Sequence, residues 1–226
     1  MPSRALATPL TLAATLVLAS ALTACGSDDG STASASTTSC DYPTGGQSAA
    51  KPVDPPSSDA PDSGEVAVDF ATDQGDFTAT LNAAAAPCTV NSFVSLADQG
   101  YFDDTSCHRL TTQGIYVVQC GDPTGTGGGG PGYTVPDEYD GSEKYPAGTL
   151  AMANTGQPDT GGSQFFMVYR DTDLPPQYTV FGTVDADGLA ALEKVAKGGV
   201  GQEVFGPGDG VPAVPLTFTS VTPRQQ

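Results

Sequence analysis

Polar and apolar residues alternate in several short segments of this chain. The alternation covers residues 65–70 and returns over residues 77–81, with a turn at residues 74–76 between them. Because successive side chains of a strand point to opposite faces, this pattern predicts a β-hairpin. Four later apolar runs predict further strands, at residues 149–153, 163–168, 179–184 and 214–218.

In two places the spacing of apolar residues changes to a helical period. Residues 84–99 contain such a pattern, in which Pro87 suits the first helical position and Gly100 suits the end. A second, shorter amphipathic pattern over residues 188–197 ends at two glycines. Seven or more short strands with two short helices indicate a mainly β fold, a closed β-barrel capped by the helices.

Another hairpin is predicted at residues 107–122, where an apolar run follows a polar turn that contains Gly114. Strand alternation could bring Arg109, Tyr116 and Gln119 to one surface of this hairpin. A guanidinium beside an amide and an aromatic ring suits the binding of a carbonyl oxygen better than the cleavage of a bond.

Composition excludes some classes of partner. The chain of 226 residues is long enough for one core and too short for two large domains. Its 8 basic and 26 acidic residues give a formal charge of −18, so nucleic acid is not an expected partner, because phosphate binding requires a basic surface. The four glycines at 127–130 lack the Gly-Lys-Ser/Thr of a phosphate loop, and a flexible surface loop is expected there.

The first residues have the pattern of an export signal. Arg4 precedes an apolar run over residues 5–24, and residues 22–25 resemble a bacterial lipobox that ends in Cys25. We therefore predict a signal peptide over residues 1–24 and a lipid anchor on Cys25, which would hold the protein on the extracytoplasmic face of the cell membrane. The alternatives are an uncleaved transmembrane helix, or an export signal followed by a cysteine by chance.

Residues 25–63 are predicted to form a disordered tether. They are rich in Ser, Thr, Ala, Asp and Pro, and they contain almost no large apolar side chains that could offset the entropy of ordering. Cys40 is the one residue in this segment that indicates docking on the folded part. The folded domain is expected over residues 64–223.

Five short motifs occur in the order, and nearly with the spacing, of one known family. They lie at residues 108–110, 119–122, 148–154, 162–166 and 180–182. With them, residues 64–223 resemble a cyclophilin, a member of the peptidyl-prolyl cis-trans isomerases. The resemblance implies a closed eight-stranded antiparallel β-barrel, and together with Cys25 the chain looks like an actinobacterial lipoprotein form.

The resemblance also implies roles for individual residues. Arg109 falls on the catalytic arginine of the family, Gln119 on its active-site glutamine, and Phe166 on the floor of its proline pocket. The other substrate-binding positions that it implies are Tyr116, Val117, Ala153, Asn154, Gln164, Leu174 and Tyr178.

Three departures from the family pattern stand out. The segment 110–118 is two residues longer than usual, and Val117 replaces a methionine, which makes the pocket shallower. The chain has no tryptophan, so Asp173 or a neighbour stands where the family has the tryptophan that binds cyclosporin. We therefore expect only weak binding of cyclosporin.

Four cysteines remain after Cys25, and four cysteines allow three disulfide connectivities. Cys107 and Cys120 flank the arms of the predicted hairpin, so we expect them to pair, which leaves Cys40 for Cys88. Free buried thiols are the alternative, although an exported protein meets an oxidising environment. One histidine and no Cys-x-x-Cys spacing argue against a metal site.

The expected function is that of a membrane-anchored, monomeric prolyl isomerase that acts on Xaa-Pro segments of exported proteins without a cofactor. The alternative is a non-catalytic peptide-binding or chaperone module on the same fold. A solute-binding lipoprotein is disfavoured because the chain is short for two lobes. His108, Asp122 and Glu138 are expected to have structural roles, since this reaction needs no proton transfer.

Overall fold

The computed structural model describes residues 1–2 and 36–224, so the predicted lipobox with Cys25 lies outside the described residues. Within these ranges, none of the helices has both the length and the apolar character needed to cross a membrane. All helices and strands of the described residues lie between Thr37 and Pro223.

The prediction of a mainly β fold with two helices is confirmed. The elements, in chain order, are β1 (Thr37–Ser39), β2 (Asp59–Pro61), β3 (Glu65–Thr72), β4 (Phe77–Asn82), α1 (Pro87–Asp98), β5 (Thr105–Ser106), β6 (Arg109–Thr111), β7 (Val117–Cys120), β8 (Thr149–Met152), β9 (Phe165–Val168), β10 (Val180–Val184), α2 (Ala186–Gly198), β11 (Val200–Gly206), β12 (Asp209–Pro212) and β13 (Thr217–Pro223).

One antiparallel sheet contains all strands except the β1–β2 pair, in the order β11-β12-β6-β7-β9-β8-β10-β4-β3-β13-β5. Strands β5 and β6 are separated by only Cys107 and His108. The Cys107 amide donates to Leu216 O beside β13, whereas the His108 amide donates to Gln119 O on β7. Residues 105–111 therefore connect the two ends of the order from β6 to β5. If β5 and β6 are counted as one bent strand, this order contains eight strands, the number that the family resemblance implies.

The helices begin where their sequences allow. Pro87 occupies the first turn of α1, and the Glu138 carboxylate accepts hydrogen bonds from the Cys88 and Thr89 amides at 2.8 Å each, since that end has no side-chain cap of its own. Asp185 caps α2 by accepting from Gly188 N at 2.8 Å. Helix α1 packs against β13 and β4, and α2 packs against β4 and β10.

The prediction of a disordered tether is wrong for the part of it that the structure describes, residues 36–63. Strands β1 and β2 pair within it, and Cys40, Tyr42 and Ala60 are buried in the main core. The Tyr42 hydroxyl donates to Cys88 O at 2.9 Å. A few well-placed contacts and a disulfide order this segment, although its composition alone is too polar to do so.

The sequence also missed the hairpin β11–β12. Its residues carry no run of alternating apolar positions, and most of β11 is exposed. The hairpin forms because β12 pairs with the free side of β6, with Asp209 opposite Thr111 and Gly210 opposite Leu110. The closing strand β13 starts at Thr217, three residues later than the predicted start at Val214.

Candidate functional site

The candidate site lies on the outer face of strands β6, β7 and β9. Arg109 is directly opposite Gln119 across β6 and β7, and Gln119 is opposite Phe166 across β7 and β9. Directly paired residues of neighbouring strands project on the same face of a sheet. The three residues expected to be central therefore form one row across three strands.

A small apolar cluster, separate from the main core, surrounds Phe166. Its buried members are Val117, Tyr145, Ala151, Phe166 and Val168, and the partly buried residues packed on them are Ile115, Ala153, Leu174, Tyr178 and Val180. The Tyr178 ring meets the Phe166 ring edge-on, with centroids 5.4 Å apart. This cluster contains the expected pocket residues Val117, Leu174 and Tyr178, and it explains why β8 and β9 are buried on both faces.

Tyr116 does not join this cluster, so the expectation that it lines the pocket is not supported by its position. It packs against the main core, and the Arg170 guanidinium carbon lies 3.4 Å from the centre of its ring. Tyr116 lies just before β7, which begins at Val117, and the two side chains pack in different clusters. Ile115, two positions before Val117, takes the place beside the pocket instead.

Arg109 is held by an acidic residue from the β11–β12 hairpin. Its Nε and Nη2 donate to the two carboxylate oxygens of Asp209, each at 2.7 Å, and its Nη1 donates to Gln119 Oε1 at 3.2 Å. This two-pronged ion pair fixes the plane of the guanidinium. Hydrogen bonding to Asp209 also raises the pKa of Arg109 above its ordinary value, so the group is a permanent cation.

From Arg109 the polar contacts continue along the outer face. The Gln119 amide donates from Nε2 to Gln164 Oε1 at 2.9 Å, and Gln164 Nε2 donates to the carbonyls of Gly127 and Gly129, each at 2.9 Å. The expected binding residue Gln164 therefore connects the row to the glycine-rich loop. In both Gln119 and Gln164, the side-chain oxygen accepts a hydrogen bond and the side-chain nitrogen donates one. The Gln119 amide is therefore held in one orientation toward a ligand.

The glycine-rich loop encloses a carboxylate of the protein itself. Asp122 is fully buried and accepts hydrogen bonds from the backbone amides of Thr124, Thr126, Gly127 and Gly129. Burial by itself would raise the pKa of Asp122, but these donors outweigh it and lower the pKa below its ordinary value. A side chain at Gly129 would lie 2.0 Å from Asp122 Oδ1. The loop is therefore tied down by an internal anion, and the expectation of a flexible loop is not supported.

Beside the row is a cavity of about 510 Å³, which Gln119, Ala153, Asn154 and Gln164 share with the site. Pro43, Gly46 and Gln47 of the docked N-terminal segment form part of its wall. The Asn154 side chain donates to Gln177 O at 2.9 Å and accepts from Gly156 N at 3.0 Å. Ala153 and Asn154 thus lie in a fixed segment between this cavity and the apolar cluster.

Both expected disulfides are present. Cys107 and Cys120 join the two arms of the site hairpin with a Cα–Cα distance of 4.0 Å, and Cys40 joins Cys88 at 5.6 Å. The first bond ties β7 to the chain just before β6, behind the row. The second attaches the N-terminal segment to the start of α1.

His108, the single histidine of the chain, is 9% exposed and lies beneath Gly127. Burial lowers the pKa of His108, and the nearby charge of Asp122 opposes that effect only in part. The residue therefore packs as a neutral ring. Within residues 1–2 and 36–224, no three His, Cys, Asp or Glu side chains are grouped so as to hold a metal ion.

Two residues beside Arg109 were not found from the sequence. Asp209 binds its guanidinium, and the Phe205 ring centroid lies 5.2 Å from its Cζ. Both come from the β11–β12 hairpin, 100 residues further along the chain in the case of Asp209. The only local signal was an acidic residue in a Gly-Pro-Gly-Asp-Gly turn, which is not specific enough to identify a site.

The fold and the site together define a β-ring protein whose outer face combines an aromatic apolar pocket with a fixed guanidinium and two amides. A family model described as cyclophilin type peptidyl-prolyl cis-trans isomerase/CLD matches residues 67–221. The chain belongs to this family.

Relatives include the probable peptidyl-prolyl cis-trans isomerase B of Mycobacterium leprae, 50% identical over 197 residues, and that of Mycobacterium tuberculosis, 52% identical. Each alignment covers 80% of this chain but only 65% and 63% of the relative, so the chain spans less than two thirds of their length. A cyclophilin type isomerase crystal structure from Cryptosporidium parvum, obtained in the presence of the dipeptide Ala-Pro, is 28% identical with a TM-score of 0.59. That match covers 71% of this chain and 99% of the other.

Proposed function

We propose that this chain is a peptidyl-prolyl cis-trans isomerase that acts on exported proteins at the membrane surface. The observation that carries the proposal is the row of Arg109, Gln119 and Phe166 across three paired strands. At one end of this row, Phe166 offers an apolar surface for the proline ring, and at the other end Arg109 supplies a fixed positive charge. Relatives that carry the name of this activity support the proposal.

The reaction requires only that the site prefer a twisted prolyl amide to both planar forms. Twisting that amide costs roughly 18–20 kcal/mol, because its partial double-bond character is lost. A proline ring held against Phe166 and Val117 would be fixed while the preceding carbonyl turns. The fixed segment at Ala153 and Asn154 would hold the peptide beyond it. No nucleophile or proton transfer is involved.

Arg109 is suited to stabilise the twisted state. A guanidinium has five N–H groups, and in the described part of the chain three of them bond Asp209 and Gln119, which leaves two for a substrate. As conjugation is lost, the prolyl nitrogen gains a lone pair that can accept one of these hydrogens. This interaction is stronger in the transition state than in either ground state, so it accelerates the reaction.

The test is isomerisation of an Xaa-Pro peptide by the full-length chain and by Arg109→Ala, followed by exchange NMR. We expect kcat/KM to fall by about a hundredfold or more in the variant, in the range of a lost electrostatic contact in a catalytic site. Arg109→Lys keeps the positive charge but cannot form the two-pronged contact of a guanidinium, so its rate should lie between those of Arg109→Ala and wild type. A variant with alanine that retains the wild-type rate would refute this role.

The second candidate is a peptide-binding module without catalysis. The observation that favours it is the Asp209 ion pair, because a guanidinium that stays committed to a carboxylate would bind without assisting the twist. The same experiment separates the two: measurable peptide affinity with no acceleration of exchange would establish the binding module.

The placement outside the cytoplasm rests on sequence and chemistry together. Two disulfides suit an oxidising compartment, and residues 22–25 carry the lipobox pattern. We therefore propose that Cys25 is lipidated and anchors the protein to the membrane. Replacing Cys25 by serine should release the protein from the membrane fraction and abolish labelling by a radioactive fatty acid, and continued labelling would overturn the anchor.

A further inference from the structure

The large apolar side chains that are exposed in the described residues are concentrated in one hairpin, β11–β12. Apart from Met1, these side chains are Val204, Phe205 and Val211, at 52%, 64% and 41%. All three belong to the β11–β12 hairpin. Exposing a phenylalanine ring to water is unfavourable, so a cluster of such residues next to a site indicates a contact surface.

Two of these side chains adjoin the row of site residues. The Phe205 ring lies over the Arg109 guanidinium, with 5.2 Å between ring centroid and Cζ. Strand β12 pairs with β6 through Gly210 and Leu110. Continuing that antiparallel register by one residue places Val211 beside Arg109, on the side away from β7 and Phe166.

The ion pair with Asp209 keeps this surface in place. Asp209 and Val211 are two positions apart in β12 and therefore share a face. The same carboxylate that orients Arg109 thus fixes the strand that carries Val211 and the turn that follows Phe205. Asp209 therefore links the hairpin that carries Phe205 and Val211 directly to the site residue Arg109.

We propose that Phe205 and Val211 form an apolar subsite that binds a large apolar side chain of the substrate near its proline. This inference rests on the proposed function and names the substrate class, Xaa-Pro segments with a nearby leucine, phenylalanine or similar residue. Strands lie about 4.8 Å apart, and an extended peptide advances about 3.3 Å per residue. Phe205 lies over Arg109 of β6, about 10 Å from β9, and Val211 of β12 is one strand spacing further, about 14 Å from β9. The occupant is therefore about three to four residues from the proline that rests on Phe166.

The test uses the full-length chain and two peptide series, with leucine or serine placed three residues before or three residues after the proline. We expect wild-type kcat/KM to favour leucine by about fivefold in one of the series, as expected for partial burial of one apolar side chain. Phe205→Ser should bring the leucine-to-serine ratio close to one, and Val211→Ser should lower it in part. Val204→Ser is the matched control, because Val204 is an exposed apolar neighbour of Phe205 in the same strand, whereas the Phe205 ring is the one that lies over Arg109; it should keep the wild-type ratio.

A wild-type ratio near one in both series, or a Phe205→Ser ratio equal to that of wild type, would overturn the subsite. Failure of the proposed function gives a different result, the absence of any acceleration by the wild-type chain. In that case, the affinities of the same peptides, measured by fluorescence anisotropy, still test whether the subsite exists. Tighter binding of the leucine peptide that is lost in Phe205→Ser supports the subsite, and equal affinities refute it.

Discussion

Phe165 and Phe166 are consecutive, identical in type and almost equally buried, at 0% and 4% exposure, yet they belong to different parts of the molecule. The Phe165 ring lies inside the barrel, 5.3 Å from the Phe93 ring and 5.8 Å from the Phe102 ring. Phe166 lies on the outer face against Tyr178. Burial alone therefore does not distinguish a residue of the core from a residue of the site; the face of the strand does.

The largest expected effect tests this difference directly. Phe165→Ala should lower the free energy of unfolding by about 3–5 kcal/mol, because the barrel interior cannot collapse around the cavity. Phe166→Ala should cost less stability, since its cavity opens toward solvent, but should lower kcat/KM more than tenfold. Denaturant unfolding and the exchange assay measure the two quantities. Equal stability losses with equal activity losses would show that the two faces are not functionally distinct.

The next effect concerns the outer face only. Asp209→Asn keeps the shape of the side chain but leaves only one oxygen to accept from Arg109, so the two-pronged ion pair is lost. We expect kcat to fall about tenfold while KM changes little, because the guanidinium loses its orientation and retains its charge. Asp209→Glu should restore part of kcat. A rise in KM with unchanged kcat would show that Asp209 contributes to binding and does not position Arg109.

The smallest effect concerns His108, which is buried beneath Gly127. Its folded pKa is lowered by burial, so below its ordinary pKa near 6.5 the unfolded chain binds more protons than the folded chain. Stability should therefore fall as the pH decreases from 6.5 to 5, by at most about 1.4 kcal/mol per pH unit. The low pKa of Asp122 keeps that carboxylate ionised in this window.

The measurement is the slope of unfolding free energy against pH for wild type and for His108→Asn. The variant should lose the His108 contribution between pH 5 and 6.5, whatever its absolute stability. The chain has one histidine, so no other imidazole can supply that slope. An unchanged slope would mean that His108 is equally protonated in the folded and unfolded states.

Much of the architecture followed from local pattern. The β3–β4 hairpin and α1 with Pro87 in its first turn lie where alternation and helical period predicted them. Strand alternation in β9 also accounts for the opposite directions of Phe165 and Phe166. These features depend on residues close together in the chain, so a sequence pattern is enough to predict them.

The expectations that the structure does not support depended on distant contacts. The family resemblance put Tyr116 at a substrate-binding position, but its ring packs against the main core, and the Arg170 guanidinium covers it. Residues 36–63 were expected from their composition to be disordered, although contacts with α1, distant in sequence, order them. In each case neighbours in space that no local pattern shows decided the outcome.

By itself, the sequence determined the family motifs and the mainly β fold class, and the family resemblance implied the roles of Arg109, Gln119 and Phe166. It left three cysteine connectivities, of which the structure contains the expected one. Only the tertiary structure decided what surrounds Arg109. Asp209 and Phe205 reach it because β12 pairs with the free side of β6, an event that joins segments 100 residues apart. No local pattern encodes that pairing, since it depends on hydrogen bonds between backbone groups that every residue possesses.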